Sequence, residues 1–213
     1  MARVLYHFTH SPFARRARMA LAFKGLTADL RDARDDPSAS AEAARKSPLA
    51  TVPVLDDDGL VLGDSTAMVH YLDRVYPAPP LLPSGKEALA AALSVMAQVD
   101  LALGTLVDAG TRYWPLRGDA AWAGVVEARI GRAQAAIDAV AARAGRPFLA
   151  GDAFGAADIY ALSATRWVAA FPARAAGSPN VAQILTLGFA LPEALVAWAK
   201  QHEARPEVQA AYA

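Results

Sequence analysis

Apolar and polar positions change rhythm twice along this chain. Val4-Leu5-Tyr6-His7-Phe8 reads as a mostly apolar strand over 3–8, and at Ser11-Pro12 it gives way to a helical pattern lasting to about residue 24. A short strand near 28–32, an Ala-rich helix near 38–46, strands at 52–55 and 60–62 and a helix over 65–76 follow. Asp57-Asp58-Gly59 separates the last two strands. Asp and Gly tolerate the positive φ angles of tight hairpin turns, so those strands pair antiparallel. The alternation predicts a small α/β unit.

Pro77-Ala78-Pro79-Pro80-Leu81-Leu82-Pro83 then removes backbone donors and disfavours helix, as a linker over 77–85 would. Beyond it Leu89, Leu93, Met96, Val99, Leu103 and Leu106 recur at three- and four-residue intervals, and the chain becomes helical throughout. The first of these helices closes at Arg112-Tyr113-Trp114-Pro115. The next runs from about 119 to 144, carries Val125, Ile130, Ile137 and Val140, and stops at Gly145-Arg146-Pro147. Gly124 and Gly131 inside it each cost about 1 kcal/mol relative to alanine. Phe154-Gly155-Ala156-Ala157-Asp158-Ile159 marks a helix start, with Gly155 as N-cap, Asp158 reaching back to backbone N–H groups and Phe154 stapled onto Ile159. That role is structural. Helices over 156–170, 178–187, 191–203 and 205–212 complete the chain. The fold class is therefore α/β plus all-α, with domains at 1–78 and 86–213.

With 213 residues and 54% apolar composition there is ample material for buried cores. Lys plus Arg equals Asp plus Glu at 21 each, so no long-range field draws the chain to nucleic acid or anionic lipid. Met1-Ala2-Arg3-Val4-Leu5 enters a strand pattern without the regions of a signal peptide, and no uninterrupted apolar run has membrane-spanning length; a soluble cytoplasmic protein is expected. The histidines at 7, 10, 70 and 202 have no close metal-ligand spacing, so no metal is expected. The absence of cysteine excludes disulfides and zinc-thiolate sites.

Ser11-Pro12-Phe13, Val52-Pro53-Val54-Leu55 and Gly63-Asp64-Ser65 follow one another at spacings that suit one anion-binding face. A serine hydroxyl at the mouth of a helix can donate to a developing thiolate, and the unpaired N–H groups there favour negative charge. With no cysteine in the chain, the sulfur arrives with a ligand, which points to a small thiol peptide. Ser11-Pro12 and Asp64-Ser65 also read as ordinary helix caps. Arg15, Arg16 and Arg18 do not share a helical face and read as solvated charges. His10 beside Ser11 has no identifiable acidic partner, so a serine hydrolase is not favoured.

Ser11-Pro12-Phe13 with Arg15-Arg16-Ala17-Arg18, the Val52–Leu55 strand, Asp64-Ser65 with Tyr71-Leu72, and Gly151-Asp152 through Asp158 occur in an order that resembles the cytosolic glutathione transferase family, in its bacterial, serine-type form. The resemblance covers nearly the whole chain. It implies a thioredoxin-like N-terminal domain that binds glutathione and a helical-bundle C-terminal domain that binds an electrophile. It implies a cis Pro53 that leaves the Val52 backbone to pair with the cysteinyl part of glutathione. Asp64 and Ser65 would hold the γ-glutamyl end, Ser11 would stabilise the thiolate, and Phe13 would border the site. Thr9 and Tyr6 are rivals for the Ser11 role. Phe13, Arg112 and Tyr113 would line the electrophile pocket, although a Tyr-Trp pair also reads as packing. Arg45 and Lys46 are alternatives for the glycyl carboxylate. Glutathione is the implied co-substrate, without metal, in a homodimer packed through the third and fourth helices. A glutathione-dependent peroxidase, isomerase or dehalogenase, or a non-catalytic interaction protein, shares the scaffold. One departure stands out: Gly155 occupies a capping position usually held by Ser or Thr. A glycine cap costs only about a few tenths of a kcal/mol, so the helix is expected to form.

Overall fold

Strand β1 (Arg3–His7) leads into helix α1 (Pro12–Phe23), which crosses over to β2 (Asp29–Asp32), in a computed structural model that describes residues 2–116 and 118–212. Then come α2 (Pro37–Lys46), β3 (Val54–Asp57), β4 (Leu60–Leu62) and α3 (Ser65–Val75). The sheet order is β2-β1-β3-β4. β1 and β2 are parallel from Val4↔Asp29 to His7↔Asp32, a pairing that needs a crossover, here α1. β3 is antiparallel to both β1 and β4, through Leu5↔Leu55 and Leu55↔Leu62.

The third strand begins two residues later than the sequence pattern places it. Pro53 has no N–H for a ladder, and the turn uses only Asp58 and Gly59, at φ 57° and 93°, so Asp57 pairs with Leu60 inside the strands.

The long α4 (Lys86–Gly110) and a short 3-10 turn (Trp114–Leu116) open the helical part of the chain. They are followed by α5 (Ala120–Ala141), α6 (Ala156–Ala169), α7 (Phe171–Ala175), α8 (Pro179–Thr186), α9 (Glu193–His202) and α10 (Pro206–Ala210). The chain divides into two units, Met1–Leu82 with His202–Ala213, and Pro83–Gln201. The last residues group with the first unit, whereas the sequence pattern assigns them to the second.

In the second unit every residue from Ala156 to Thr165 is buried, as befits a helix that is apolar all round. The Asp158 carboxylate accepts from Leu149 N and Gly155 N, both at 2.9 Å, so the acidic half of the capping box holds without its hydroxyl half. By length and composition α4 could cross a membrane. It instead buries Val95, Val99, Leu103 and Leu106 in this unit's core, packed on α5 and α6.

The first unit corrects the reading of the α1 arginines as solvated. Arg16 is 0% and Arg18 7% exposed, and Arg15 is half-buried. The reason is that α1 is covered on more than one side, by α3 and by α10. Arg18 Nη2 donates to Ala210 O at 3.1 Å, and the Arg15 guanidinium lies 4.2 Å from the Tyr212 ring centre. The linker is likewise less free than its prolines imply. Lys24 Nζ donates to Tyr76 O at 2.7 Å and Pro79 O at 2.6 Å, while Asp73 Oδ1 accepts from Leu81 N.

Candidate active site

Ser11 is the N-cap of α1, with extended backbone at φ −72°, and its Oγ accepts from Ala14 N at 3.3 Å. This bond uses a lone pair. The hydroxyl keeps its proton for another acceptor. Its own N–H donates to Phe8 O at 3.0 Å, which closes the turn between β1 and α1.

The two rival hydroxyls are already committed. Thr9 Oγ1 donates to Asp32 Oδ2 at 2.5 Å, and Thr9 N donates to the same oxygen at 3.0 Å. Tyr6 is buried and its hydroxyl donates to Glu42. Burial, and then that bond to a carboxylate, push the Tyr6 phenol up to about 12. Among the three hydroxyls, Ser11 alone acts as an acceptor at a helix mouth.

The Val52–Pro53 peptide is cis, in agreement with the family resemblance. Val52 precedes the first ladder pair of β3, Tyr6↔Val54, so its backbone lies outside the strand registers. Asp64 is the N-cap of α3, and its exposed carboxylate accepts from Thr66 N and Ala67 N, both at 2.9 Å. Ser65, next in the chain, is buried at 3% exposure and accepts from Arg16 Nη1 at 3.3 Å. Arg16 also sits 5.4 Å from the ring centre of half-buried Phe13. A guanidinium therefore stands behind the first residue of α3, where helix polarity already favours an anion.

Sequence reasoning missed Arg16. A usable signal was present: Phe13, Arg16, Ala17 and Ala20 follow the helical spacing of one buried face, and a lone cation in such a stripe is unusual enough to mark. Asp32 was also missed, because its tie to Thr9 spans two strands. Lys46 binds Asp56 at 2.6 Å, and Arg45 is exposed.

Arg112 and Tyr113 belong to the second unit. Arg112 is exposed beside Asp108, at 3.6 Å. Tyr113 stacks on Trp122 with ring centres 5.6 Å apart, and both border a cavity of about 280 Å³ with Leu116, Val126, Gln183 and Leu187. Tyr113 thus packs and lines a cavity at once. Among the described residues, no group of three or more His, Cys, Asp or Glu could hold a metal ion.

Two family models match the chain: the glutathione S-transferase N-terminal domain over residues 5–80 and the glutathione S-transferase C-terminal domain over 113–206. Glutathione S-transferase Z2 of Arabidopsis thaliana is 42% identical over 83 residues, 38% of this chain and 37% of that protein. Maleylacetoacetate isomerase of Dictyostelium discoideum is 32% identical over 99 residues, 44% of this chain and of that protein. The chain thus spans less than half the length of these curated relatives. A crystal structure of a glutathione S-transferase from Methylobacterium radiotolerans, in complex with glutathione sulfonate, superposes with a TM-score of 0.76 at 26% identity, covering 100% of this chain and 95% of that one.

Proposed function

Since the chain belongs to the glutathione S-transferase family, we propose that it ionises the glutathione thiol at the mouth of α1 and directs it at an electrophilic, mainly apolar substrate. The observation that carries this reading is the Ser11 hydroxyl, capped by Ala14 N and left with a proton to donate, while Thr9 and Tyr6 give theirs to Asp32 and Glu42.

The residues fit an anionic tripeptide. Ser65, backed by Arg16, would take the γ-glutamyl carboxylate, and exposed Asp64 its amine. The Val52 backbone beside Pro53 would pair with the cysteinyl part. A free thiol titrates at about 8.5 and is mostly protonated at neutral pH; lowering it by about two units makes most of it nucleophilic. Two units correspond to about 2.7 kcal/mol. One hydrogen bond to a charged group, about 1.5–3 kcal/mol, together with a helix N-terminus at about 0.3–1 kcal/mol, supplies that amount. The thiolate then attacks an electrophilic carbon: the C–S bond forms as the leaving group departs with its electron pair. Phe13, two residues from Ser11, is a candidate for contact with that substrate. The reading also makes the protein a cytoplasmic homodimer through α3 and α4, and the exposed Leu93 and Leu101 of α4 are consistent with a covered face.

Calorimetry and thiolate absorbance test the proposal together. Glutathione should bind with its thiol titrating well below the free value, and Ser11→Ala should return the thiol towards about 8.5 with turnover down about a hundredfold. No binding at millimolar glutathione overturns the reading. A second reading, glutathione-dependent isomerisation, draws support from the relatives named maleylacetoacetate isomerase. In that case the thiolate adds to a conjugated double bond and leaves after rotation, so product forms without consumption of glutathione.

A further inference from the structure

We infer that Asp32, at the end of β2, is a positioning residue that fixes Ser11 by clamping the turn between β1 and α1. The inference rests on the role proposed above for Ser11. Asp32 Oδ2 accepts both the N–H and the hydroxyl of Thr9, and its Oδ1 accepts Arg34 N at 2.9 Å. One carboxylate thereby ties the turn that carries Ser11 to the segment after β2.

Two further contacts follow the same path. Ala33 N donates to His7 O at 2.8 Å, and the Arg34 guanidinium lies 5.0 Å from the ring centre of Phe8. Phe8 O in turn accepts the Ser11 N–H. Residues 7, 8 and 9 are therefore each held by residues 32–34, two positions before the hydroxyl that must meet the sulfur.

The clamp stays closed over the working range of pH. Partial burial pushes the Asp32 carboxyl up, but the Thr9 hydroxyl and the N–H groups of Arg34 and Thr9 outweigh it and hold it at about 2. The Arg18 guanidinium adds positive charge nearby. Such precision matters because a displacement of about 1 Å in a catalytic group can cost about a hundredfold in rate.

The test uses the whole chain and three substitutions. Asp32→Ala removes both bonds to Thr9, Thr9→Val removes only the hydroxyl bond, and Thr9→Ser keeps both. The pKa of the bound glutathione thiol should rise by about one unit in Asp32→Ala, by less in Thr9→Val and not at all in Thr9→Ser, with glutathione Kd within about twofold. In a Ser11→Ala background Asp32→Ala should move the thiol pKa no further, because the clamp acts through Ser11. An equal shift in both backgrounds overturns the inference, and so does a larger effect of Thr9→Val than of Asp32→Ala, which would make Thr9 the thiolate's donor. A fully folded Asp32→Ala with an unmoved thiol pKa overturns it as well. If Asp32→Ala does not fold, Thr9→Val against Thr9→Ser decides. Amide exchange separates this result from failure of the transferase reading. Even without glutathione, Asp32→Ala or Thr9→Val should speed exchange at the Ser11 and Ala14 amides about tenfold, and unchanged rates sink the clamp alone.

Discussion

Arg16 Nη1 lies 3.3 Å from the Ser65 hydroxyl, so a guanidinium without solvent exposure joins α1 to the first turn of α3. A cation in that place raises the affinity of the α3 N-terminus for a carboxylate. Arg16→Met keeps the apolar stem and removes the charge. Glutathione affinity should fall about tenfold, the lower end for a charge-assisted hydrogen bond, while a Ser11→Ala control leaves affinity nearly unchanged. Calorimetry at two salt concentrations checks this; a buried charge predicts little salt dependence.

His7 gives stability a pH dependence. It is 5% exposed, and burial, then the Arg18 charge, lower its pKa below the ordinary 6.5. The unfolded chain therefore binds a proton that the folded chain refuses, so this contribution is complete above pH 6.5 and is lost as pH falls from there towards the folded-state value. Urea midpoints should drop across that window, and His7→Gln should flatten the drop.

Gly63 precedes the Asp64-Ser65 pair, and a Cβ there would fall 2.4 Å from Ser47 Oγ and 3.3 Å from Ser47 Cβ. Ser47 is 2% exposed and has little room to retreat. Gly63→Ala should cost about 1–3 kcal/mol by overpacking, and adding Ser47→Ala should recover part of it. Denaturant unfolding of the four members of that cycle measures the coupling.

Asp57 sits at the centre of a buried cluster. Arg3 Nη2 lies 2.8 Å from its Oδ1, and the hydroxyls of Tyr71 and Tyr76 donate to Oδ2 at 3.0 and 2.7 Å. Asp57→Asn leaves Arg3 buried without its counter-charge and should cost about 3–5 kcal/mol. A tyrosinate titration supplies a second readout. Burial, and then the Asp57 bond, hold Tyr71 at about 12, and the substitution should bring it down.

Much of the local structure was legible because the signals were local. Ser11 with Pro12, Asp64 with the N–H groups that follow, and the Asp158 cap each bind atoms no more than nine residues away. The Asp58-Gly59 turn needs only its own two residues, and it sets the register of β3 against β4. Val52–Pro53 is different: its cis bond was expected from the family resemblance alone, since an X–Pro bond by itself favours trans.

What the residue pattern determined by itself was the succession of helices and strands, the caps, the hairpin and a serine at the mouth of α1, all set by dihedral preference and hydrogen bonds between near neighbours. Only the tertiary structure decided which charges lose water and which hydroxyls are spent. Arg16 reaches Ser65 across 49 residues, Thr9 reaches Asp32 across 23, and Arg18 reaches Ala210 across 192. Helical periodicity makes Arg15, Arg16 and Arg18 look solvated, because it assumes one covered face, whereas α1 is covered by both α3 and α10. Burial is a property of everything that packs on an element, and no window along the chain contains it.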